Sequence, residues 1–225
     1  MIKKNNNIKV VAIGAHPDDI EFGCAMRILY HVENGDTIIG IICSDGEKGG
    51  ERETRLKEAE NAAKTMGIKK LYNLHFPDTN FPDMIIVKDA IEKIINKEKP
   101  SVVYTHFKED IHQDHSVVAQ ASAIACRKVP NILTYKSPST ILASFHPHLF
   151  HVGSEEDFQK KENILKVHQS QIKKYAGFDL EKLRMESKFY ASSINHPGFY
   201  AEPFCANHIV LNLINNDKSN GSASA

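Results

Sequence analysis

The sequence predicts an α/β protein with a doubly wound, mainly parallel, Rossmann-like sheet, helices on both of its faces and a C-terminal α/β extension. Short apolar runs alternate with longer helical patterns over the first 135 residues, which is the rhythm of βαβ units. Most of these runs are also too short and too continuously apolar to be surface strands. Such runs are typical of strands in a parallel sheet that is covered on both faces.

The apolar runs and the patterns between them define the expected elements of the core. Five runs predict strands at Lys9–Ala15, Thr37–Cys43, Lys70–Leu74, Ser101–Thr105 and Asn131–Tyr135. Four intervening patterns predict helices at Ile20–Glu33, Glu53–Met66, Met84–Lys97 and His115–Arg127. Each helical pattern stops shortly before a glycine or a proline, since glycine favours the left-handed cap of a helix and proline cannot continue one.

The chain changes character after residue 135. Turn-like segments precede two further helical patterns, Ser154–Lys174 and Leu180–Ser192, and an apolar run at His208–Leu213 predicts a last strand. The end of the chain, Asn215–Ala225, is polar and rich in small residues, which predicts a disordered tail. We therefore expect one domain over residues 1–214, with a βα core over 8–135, an extension over 136–214, and a tail over 215–225.

The composition argues against several classes of partner. Of the 225 residues 41% are hydrophobic and 25% are charged, enough apolar material for a sizeable core. Lys plus Arg and Asp plus Glu balance at 28 each, whereas nucleic-acid and membrane-surface binders carry a strong positive excess. No run approaches the roughly 18 apolar residues of a spanning helix, and the N-terminus lacks the apolar segment of a signal peptide. We expect a cytoplasmic protein with neither a nucleic-acid nor a membrane partner.

The cysteines and several of the twelve histidines have simple structural interpretations. The four cysteines are widely spaced and form no C-x-x-C pair, which in a cytoplasmic protein predicts small buried apolar side chains. His146, His148 and His151 have no acidic neighbour before Glu155, and alternate residues of a strand point to opposite faces. We interpret them as part of a surface edge strand or a subunit contact rather than as a second metal site. His168 falls in a helical pattern as a candidate contributor to a pocket.

The segment His16-Pro17-Asp18-Asp19 places one imidazole and two carboxylates where the first strand ends. In an α/β fold the carboxyl end of a parallel strand opens onto the ligand crevice. The alternative interpretation is a helix cap, because carboxylates are favoured at a helix N-terminus. A cap needs only one Asp, however, and leaves His16 unexplained.

A second cluster, Asp110 to His115, follows the fourth apolar run. His112 and His115 are three residues apart and share a face if the stretch is helical. The alternative is a polar loop in which Asp114 caps the next helix. Both clusters lie at strand ends of one sheet. Their nitrogen and carboxylate donors, without thiolate, suit a catalytic Zn²⁺ with an open coordination position. Other divalent ions would also fit. A spare carboxylate would serve as general base, and the spacing does not say which Asp takes which role.

These residues carry a resemblance to a known family. Ala15–Cys24 resembles the signature of the PIG-L/LmbE-like zinc de-N-acetylases, and His112–His115 resembles that family's second motif, with Gln113 where proline is usual. Blocks around Asp45, Arg55, Phe76, Ser137 and His168 are similar to its bacterial branch. The resemblance covers roughly residues 8 to 213.

The resemblance implies three groups of site residues: metal ligands His16, Asp19 and His115; catalytic residues Asp18, His112 and Asp114; and substrate-binding residues Arg55 and Asp78. Asp18 would be the general base for the attacking water and would later donate to the leaving amine. His112 would stabilise the developing oxyanion, with Asp114 orienting it. Arg52 is an alternative to Arg55 for holding the sugar.

The implied activity is the removal of the acetyl group from an N-acetylglucosamine-type sugar or its conjugate, with Zn²⁺ as cofactor, a small amino-sugar as partner and a homo-oligomer as expected assembly. Two alternatives stay open. A metal-dependent amidase cleaving another C–N bond in a sugar–thiol conjugate would share the site. A sugar-binding module without turnover would not need the general base, and Asp18 is present together with the full ligand set.

Overall fold

A computed structural model describes residues 7–172 and 179–210. Its described strands form one sheet, and their bounds are β1 Lys9–Gly14, β2 Thr37–Ser44, β3 Lys70–Phe76, β4 Val102–His106, β5 Asn131–Tyr135, β6 Leu149–Gly153 and β7 Tyr200–Ile209. The strand order is β3-β2-β1-β4-β5-β7-β6. The five predicted strands are confirmed as β1 to β5, with ends that differ by no more than two residues.

The helices alternate with the strands through the core. They are α1 Asp19–Glu33, α2 Arg52–Thr65, α3 Met84–Glu98, α4 Gln113–Ala125, α5 Glu155–Leu165, α6 Gln169–Ile172 and α7 Leu180–Ser193. The first four correspond to the predicted helices and each ends within two residues of the expected position. Among the described residues, no helix combines the length and the apolar composition that a bilayer crossing requires.

The sheet has the predicted doubly wound, mainly parallel topology. Strands β1 to β5 pair in parallel, and the connection from β3 to β4 carries the chain from one edge of this group to the other side of β1. The winding therefore reverses between β1 and β4, which is where open α/β sheets bind ligands. The extension adds β7, antiparallel to both β5 and β6, so that β6 is an edge strand as expected for the segment around His151.

Two predictions for the extension are wrong. The single helix at Ser154–Lys174 is broken after Leu165, and the turn that follows lets His168 point into the interior, where it is fully buried. The strand expected at His208–Leu213 begins at Tyr200 instead. Pro203 interrupts the sequence pattern of this strand, and it lies beyond the ladder with β5, where its only register partner is Phe150 of β6. The end of that expected strand and the tail lie outside the described residues.

Two apolar layers hold the helices to the sheet. On one face α3 and α4 contribute Ile91 and Val118 to a core with Val11 of β1. On the other, α1, α2 and α5 pack around side chains such as Ile28 and Tyr104. Helices thus cover both faces, and all four cysteines are buried and free as predicted.

Helix α1 lies close to the sheet because of a glycine. A Cβ atom on Gly23 would lie 2.1 Å from the ring of Tyr135, so no larger residue fits there without a shift. The phenol of Tyr135 donates to the carbonyl of Ile13 at 2.7 Å, and Cys24, next to the contact, leaves helical geometry. This contact fixes the position of α1, whose N-cap and first residue are Asp18 and Asp19, the acidic residues of the first cluster.

Candidate metal centre and catalytic cavity

The topology brings the two predicted clusters together. The first follows β1 and the second follows β4, and these strands are neighbours in the sheet. The ring centroids of His16 and His112 lie 4.7 Å apart, and those of His16 and His115 lie 5.3 Å apart. Residues about a hundred positions apart in the chain therefore share one crevice at the carboxyl ends of the strands.

The crevice is a cavity of about 310 Å³. Seven of the eight predicted site residues line it, and Asp114 is the exception, since it is fully buried behind His16. The cavity is also lined by Ser139 and Gln171, which the sequence analysis did not single out as site residues. A volume near 300 Å³ is at the lower end of the range for small-molecule sites.

The two adjacent carboxylates of the first cluster have different surroundings. Asp19 lies in the first turn of α1, and its Oδ2 accepts the backbone N–H of His16 at 2.7 Å. Asp18 precedes the helix with a left-handed backbone (φ 112°, ψ −22°), and its side chain makes no capping hydrogen bond. The cap interpretation is therefore wrong for the Asp18 side chain, which turns toward Arg55 instead.

Asp19 lies between the two predicted imidazole ligands. Its Oδ2 is 3.5 Å from Nδ1 of His16, and its Oδ1 is 3.3 Å from Nε2 of His115. All three side chains are buried. Burial disfavours the charged form of Asp19, but His115 and His106 hold the pKa of this carboxyl well below its usual range.

The outward nitrogens of these imidazoles are held by further carboxylates. Nε2 of His16 lies 3.0 Å from Asp114 and 3.2 Å from Asp78, and Nδ1 of His115 lies 3.3 Å from Asp110. Metal-binding histidines commonly hold their second ring nitrogen on a carboxylate in this way. Among the described residues, His16 with His112 and His115, and Asp19 with His106 and His115, are groups whose donor atoms lie close enough together to hold a cation. The predicted ligands His16, Asp19 and His115 are divided between these two groups, which share His115. Imidazole and carboxylate donors without thiolate fit a divalent cation with an open coordination position.

The same partners hold protons on the imidazoles. Burial disfavours the imidazolium of His115, yet Asp19 and Asp110 raise its pKa to about 9. The pKa of His16 is also raised, since Asp114, Asp19 and Asp78 outweigh its burial. A cation entering this site would therefore displace protons that the carboxylates hold there.

His106, the last residue of β4, is a site residue that the sequence analysis missed. It is fully buried, and its Nε2 lies 3.1 Å from Oδ2 of Asp19 and 3.1 Å from the backbone nitrogen of Ala15. Its ring stacks on that of His115 at 4.2 Å, and His115 stacks on His112 at 4.5 Å. The available signal was its place at the end of a strand, the same signal that identified His16.

Asp114 contacts a different partner from the one expected. Its carboxylate accepts the backbone N–H of Thr79 at 2.8 Å and lies against His16, whereas only its backbone N–H meets Nδ1 of His112, at 3.3 Å. The reason is local, because His112 is the N-cap residue of α4 and its ring accepts the N–H of the first turn. The expected orienting contact between the Asp114 carboxylate and His112 is therefore replaced by one with His16.

Asp18 and Arg55 form a buried pair on the cavity wall. Nη2 of Arg55 donates to Oδ2 of Asp18 at 3.1 Å and to the carbonyl of Pro17 at 2.6 Å, while Nη1 donates to the carbonyl of Gly46 at 2.9 Å. Gly46 has a φ of +68°, and a Cβ there would lie 2.4 Å from the guanidinium. Burial raises the pKa of Asp18 to about 6, and Arg55 opposes this rise.

The other predicted substrate residues are also engaged by the protein. Asp78 faces His16 with one oxygen, and its other oxygen accepts the backbone N–H of Lys48 at 2.9 Å. Arg52, the alternative to Arg55, pairs with Asp45 through Nε and is not among the residues that line the cavity. His168 does not line the cavity either, and its Nε2 lies 3.5 Å from a carboxylate oxygen of Glu21.

Comparisons with known proteins identify the family of this chain and agree with its fold. The model of a family described as PIG-L, GlcNAc-PI de-N-acetylase, matches residues 11–126, which hold both clusters. The chain is 40% identical over 176 residues to YaiS, an uncharacterised deacetylase of Escherichia coli K12, covering 74% of this chain and 93% of YaiS. It is 31% identical over 136 residues to a probable N-acetyl-α-D-glucosaminyl L-malate deacetylase 2 of Bacillus cereus, covering 54% of this chain and 62% of that protein.

Solved structures share the architecture. An N,N′-diacetylchitobiose deacetylase from Pyrococcus horikoshii, complexed with an inhibitor, aligns with a TM-score of 0.74 at 23% identity, over 91% of this chain and 87% of that chain. A conserved protein from Thermus thermophilus aligns with a TM-score of 0.77 at 22% identity, over 92% of this chain and 97% of that chain. At these identities the likeness shows the fold.

Proposed function

This chain belongs to the PIG-L family of de-N-acetylases, and from that premise we propose that it removes the acetyl group from an N-acetylglucosamine-type sugar or its conjugate, giving a free amine and acetate. One observation carries the proposal. A carboxylate, Asp18, stands beside the set of His16, Asp19 and His115 without belonging to it, and Arg55 holds it in place. Hydrolysis of an amide at a metal site needs such a separate base.

The proposed metal ligands are His16, Asp19 and His115, with Zn²⁺ as the expected ion. When bound, a divalent cation polarises an amide carbonyl and lowers the pKa of water toward neutrality. The chain supplies the pocket for it: Asp19 bridges the two imidazoles, and Asp114 and Asp110 fix the orientation of their rings. These carboxylates also keep compensating negative charge next to the site.

The proposed role of Asp18 is to move protons. A carboxyl group with a pKa of about 6 is mostly ionised at neutral pH and is still basic enough to accept a proton from the attacking water. The same group can then donate that proton to the amine as it leaves. Arg55 fixes the carboxylate through Oδ2, which leaves Oδ1 for this exchange.

The proposed role of His112 is to stabilise the oxyanion that forms from the carbonyl oxygen. Its Nδ1 accepts the backbone N–H of Asp114, so the neutral ring carries its proton on Nε2. Burial and the neighbouring His115 lower the pKa of His112, which favours this neutral donor form. Removing one such donor typically costs ~2.7–4 kcal/mol of transition-state stabilisation.

The names of the relatives support a sugar substrate. One is a probable N-acetyl-α-D-glucosaminyl L-malate deacetylase, and another, 27% identical over 158 residues, is a diacetylchitobiose deacetylase. A small-molecule amino-sugar is therefore the proposed partner. An amidase acting on another C–N bond of a sugar conjugate would use the same residues, and only the identity of the released product separates the two reactions. The intact set of ligands and base favours either hydrolase over a binding module without turnover.

The test is acetate release by the purified protein reconstituted with Zn²⁺. The panel comprises free, nucleotide-linked and glycoside-linked N-acetylglucosamine compounds, with acetate and free amine measured in parallel. We expect stoichiometric release of both from at least one compound. Asp18→Asn should lower kcat by about 10²–10⁴-fold while the protein retains its metal. The matched variant, Asp89→Asn, changes an exposed carboxylate and should keep wild-type activity.

A metal-replete protein that releases no acetate from any compound would count heavily against the proposal. Release of amine together with a different acid would assign the amidase alternative. Full activity in Asp18→Asn with metal bound would remove the assigned base and leave the activity itself standing.

A further inference from the structure

A second cavity, of about 290 Å³, lies at the opposite end of the sheet from the catalytic cavity. Val102 and Asn131, the first residues of β4 and β5, lie in its wall, whereas the catalytic residues follow the last residues of β1 and β4. Tyr104 and Leu133 are register partners, as are Leu149 and Phe204, so each pair presents its side chains to the same face. The floor of this cavity is therefore a continuous apolar stretch of sheet.

Arg27 of α1 is the only permanently charged residue in the lining, which holds no acidic side chain. Its Nε donates to the hydroxyl of Tyr104 at 2.9 Å, and among the described residues no carboxylate pairs with the guanidinium and no acceptor meets its Nη atoms. The nearby Glu202 accepts the backbone N–H of Arg27 but is paired with Lys161 at 2.7 Å. Burial lowers the pKa of His151, the other basic residue of the lining, which favours its neutral form.

The guanidinium is held in place by a chain of hydrogen bonds. The hydroxyl of Tyr104 also lies 3.0 Å from Nε2 of His31, and Nδ1 of His31 lies 2.7 Å from Asp36. The carbon of the guanidinium stands 5.1 Å from the centroid of the Tyr30 ring. A cationic fork fixed on one side, with free N–H groups on the other, loses little conformational entropy when it binds an anion.

We propose that this Arg27 cavity binds a small organic monocarboxylate with an apolar body, either aromatic or branched aliphatic. Arginine binds carboxylates through two parallel N–H···O bonds, and such charge-assisted bonds are strongest where water is excluded. The floor of Leu133, Leu149 and Phe204 matches an apolar body. A single cation balances a monoanion, whereas a phosphate dianion would keep an unmatched charge against apolar walls.

The proposal does not depend on the proposed deacetylase function, because no residue of the catalytic cavity lines the Arg27 cavity. The test is calorimetric titration of the metal-loaded full chain with 3-phenylpropanoate, and with its neutral amide as the uncharged probe. We expect saturable binding of the acid and at least about tenfold weaker binding of the amide.

Two variants locate the binding. Arg27→Gln removes the charge, and Leu149→Trp fills the cavity from the edge strand while Arg27 stays intact. Each should weaken binding of the acid by at least about tenfold. Arg127→Gln is the matched control, since Arg127 lies outside the cavity and pairs with Glu92, and its affinity should equal that of the wild type.

Three outcomes would overturn the proposal. The acid binds no better than the amide, or both cavity variants bind it as the wild type does, which places any binding elsewhere. In the third outcome the acid does not bind, and light scattering shows that the wild type forms a dimer that Leu149→Trp abolishes. This outcome would assign the face to a second copy of this chain. Because both readouts are independent of acetate release, failure here leaves the proposed function intact.

Discussion

At the scale of single residues, the position of Arg55 distinguishes a role in holding the base Asp18 from a role in binding the substrate. Its guanidinium bonds Asp18 and two loop carbonyls, so its charge is already used within the protein. If it acts by holding the base, Arg55→Lys should lower kcat at least tenfold and leave KM within about threefold, because lysine keeps the charge but not the fork. Steady-state kinetics on the substrate found in the acetate assay measure both constants.

The control for Arg55→Lys is Arg52→Lys. Arg52 is half-exposed, pairs with Asp45 and lies outside the cavity, so both constants should stay at wild-type values. A rise in KM alone for Arg55→Lys would instead support the substrate contact that the sequence motif implies.

His106 leads to a prediction about metal affinity. Its Nε2 is the nearest side-chain partner of Asp19 outside the proposed ligands, and residues that orient ligands typically contribute 10–100-fold in affinity. We expect His106→Gln to weaken Zn²⁺ binding by about that factor, measured by chelator competition. His31→Gln, which changes another buried histidine far from the site, should bind Zn²⁺ as the wild type does.

The site residues that could be predicted from the sequence are those that have other histidines or aspartates close to them in the chain. His16, Asp18 and Asp19 are adjacent at a strand end, and His112 and His115 lie one helical turn apart, so each group is visible as a cluster. His106 has no comparable neighbour in the sequence, and Ser139 and Gln171 belong to blocks that resemble the family but carry no cluster of their own. Only the fold brings these three residues to the same crevice. The contact of Asp114 with His16 could not be predicted from the sequence either, because it depends on the orientation of the Asp114 side chain.

At the scale of elements, the approach of α1 to the sheet can be tested at Gly23. A Cβ there would lie 2.1 Å from the Tyr135 ring, so Gly23→Ala should destabilise the protein by about 1–3 kcal/mol through overpacking. Urea denaturation measures the change. Gly50→Ala is the control, because its nearest neighbour would be 3.5 Å away, an ordinary contact. Equal stability of the two variants would mean that α1 shifts freely.

The elements of the core were predictable because each βα unit carries its own local signals. Short, continuously apolar runs indicated β1 to β5, and the glycine or proline after each helical pattern indicated its end. The extension was not predictable, because its geometry depends on distant partners. Helix α5 stops at Leu165, and His168 beyond it lies 3.5 Å from a carboxylate oxygen of Glu21. Pro203 of β7 pairs in register with Phe150 of β6 and has no register partner in β5.

At the scale of the whole molecule, protons occupy the site that is proposed to bind the metal, so the two would compete for it. In the metal-free protein the pKa of His115 is raised to about 9 from its ordinary 6.5. A raised imidazole pKa contributes stability that is fully present below pH 6.5 and is lost as the pH rises toward 9. The melting temperature of the chelator-treated protein should therefore fall across this range, while its affinity for Zn²⁺ rises as the proton is removed.

Calorimetry in buffers of different ionisation enthalpy should show protons released when Zn²⁺ binds at pH 7. The variant His115→Gln should show a shallower fall in melting temperature over the same interval. A melting temperature that does not change with pH in the metal-free wild type would contradict the proton held between Asp19 and Asp110.

The position of β7 in the sheet has a consequence for how the protein is made. This strand comes last in the described chain yet lies between β5 and β6. While the polypeptide is still emerging from the ribosome, β5 therefore presents a row of unpaired backbone groups, and such open edges promote association with other nascent chains. All eight predicted site residues lie within the first 115 residues, but the sheet that supports them stays incomplete until residues 200–209 have been synthesised. Biogenesis thus depends on sequence far downstream of the residues proposed to perform the chemistry.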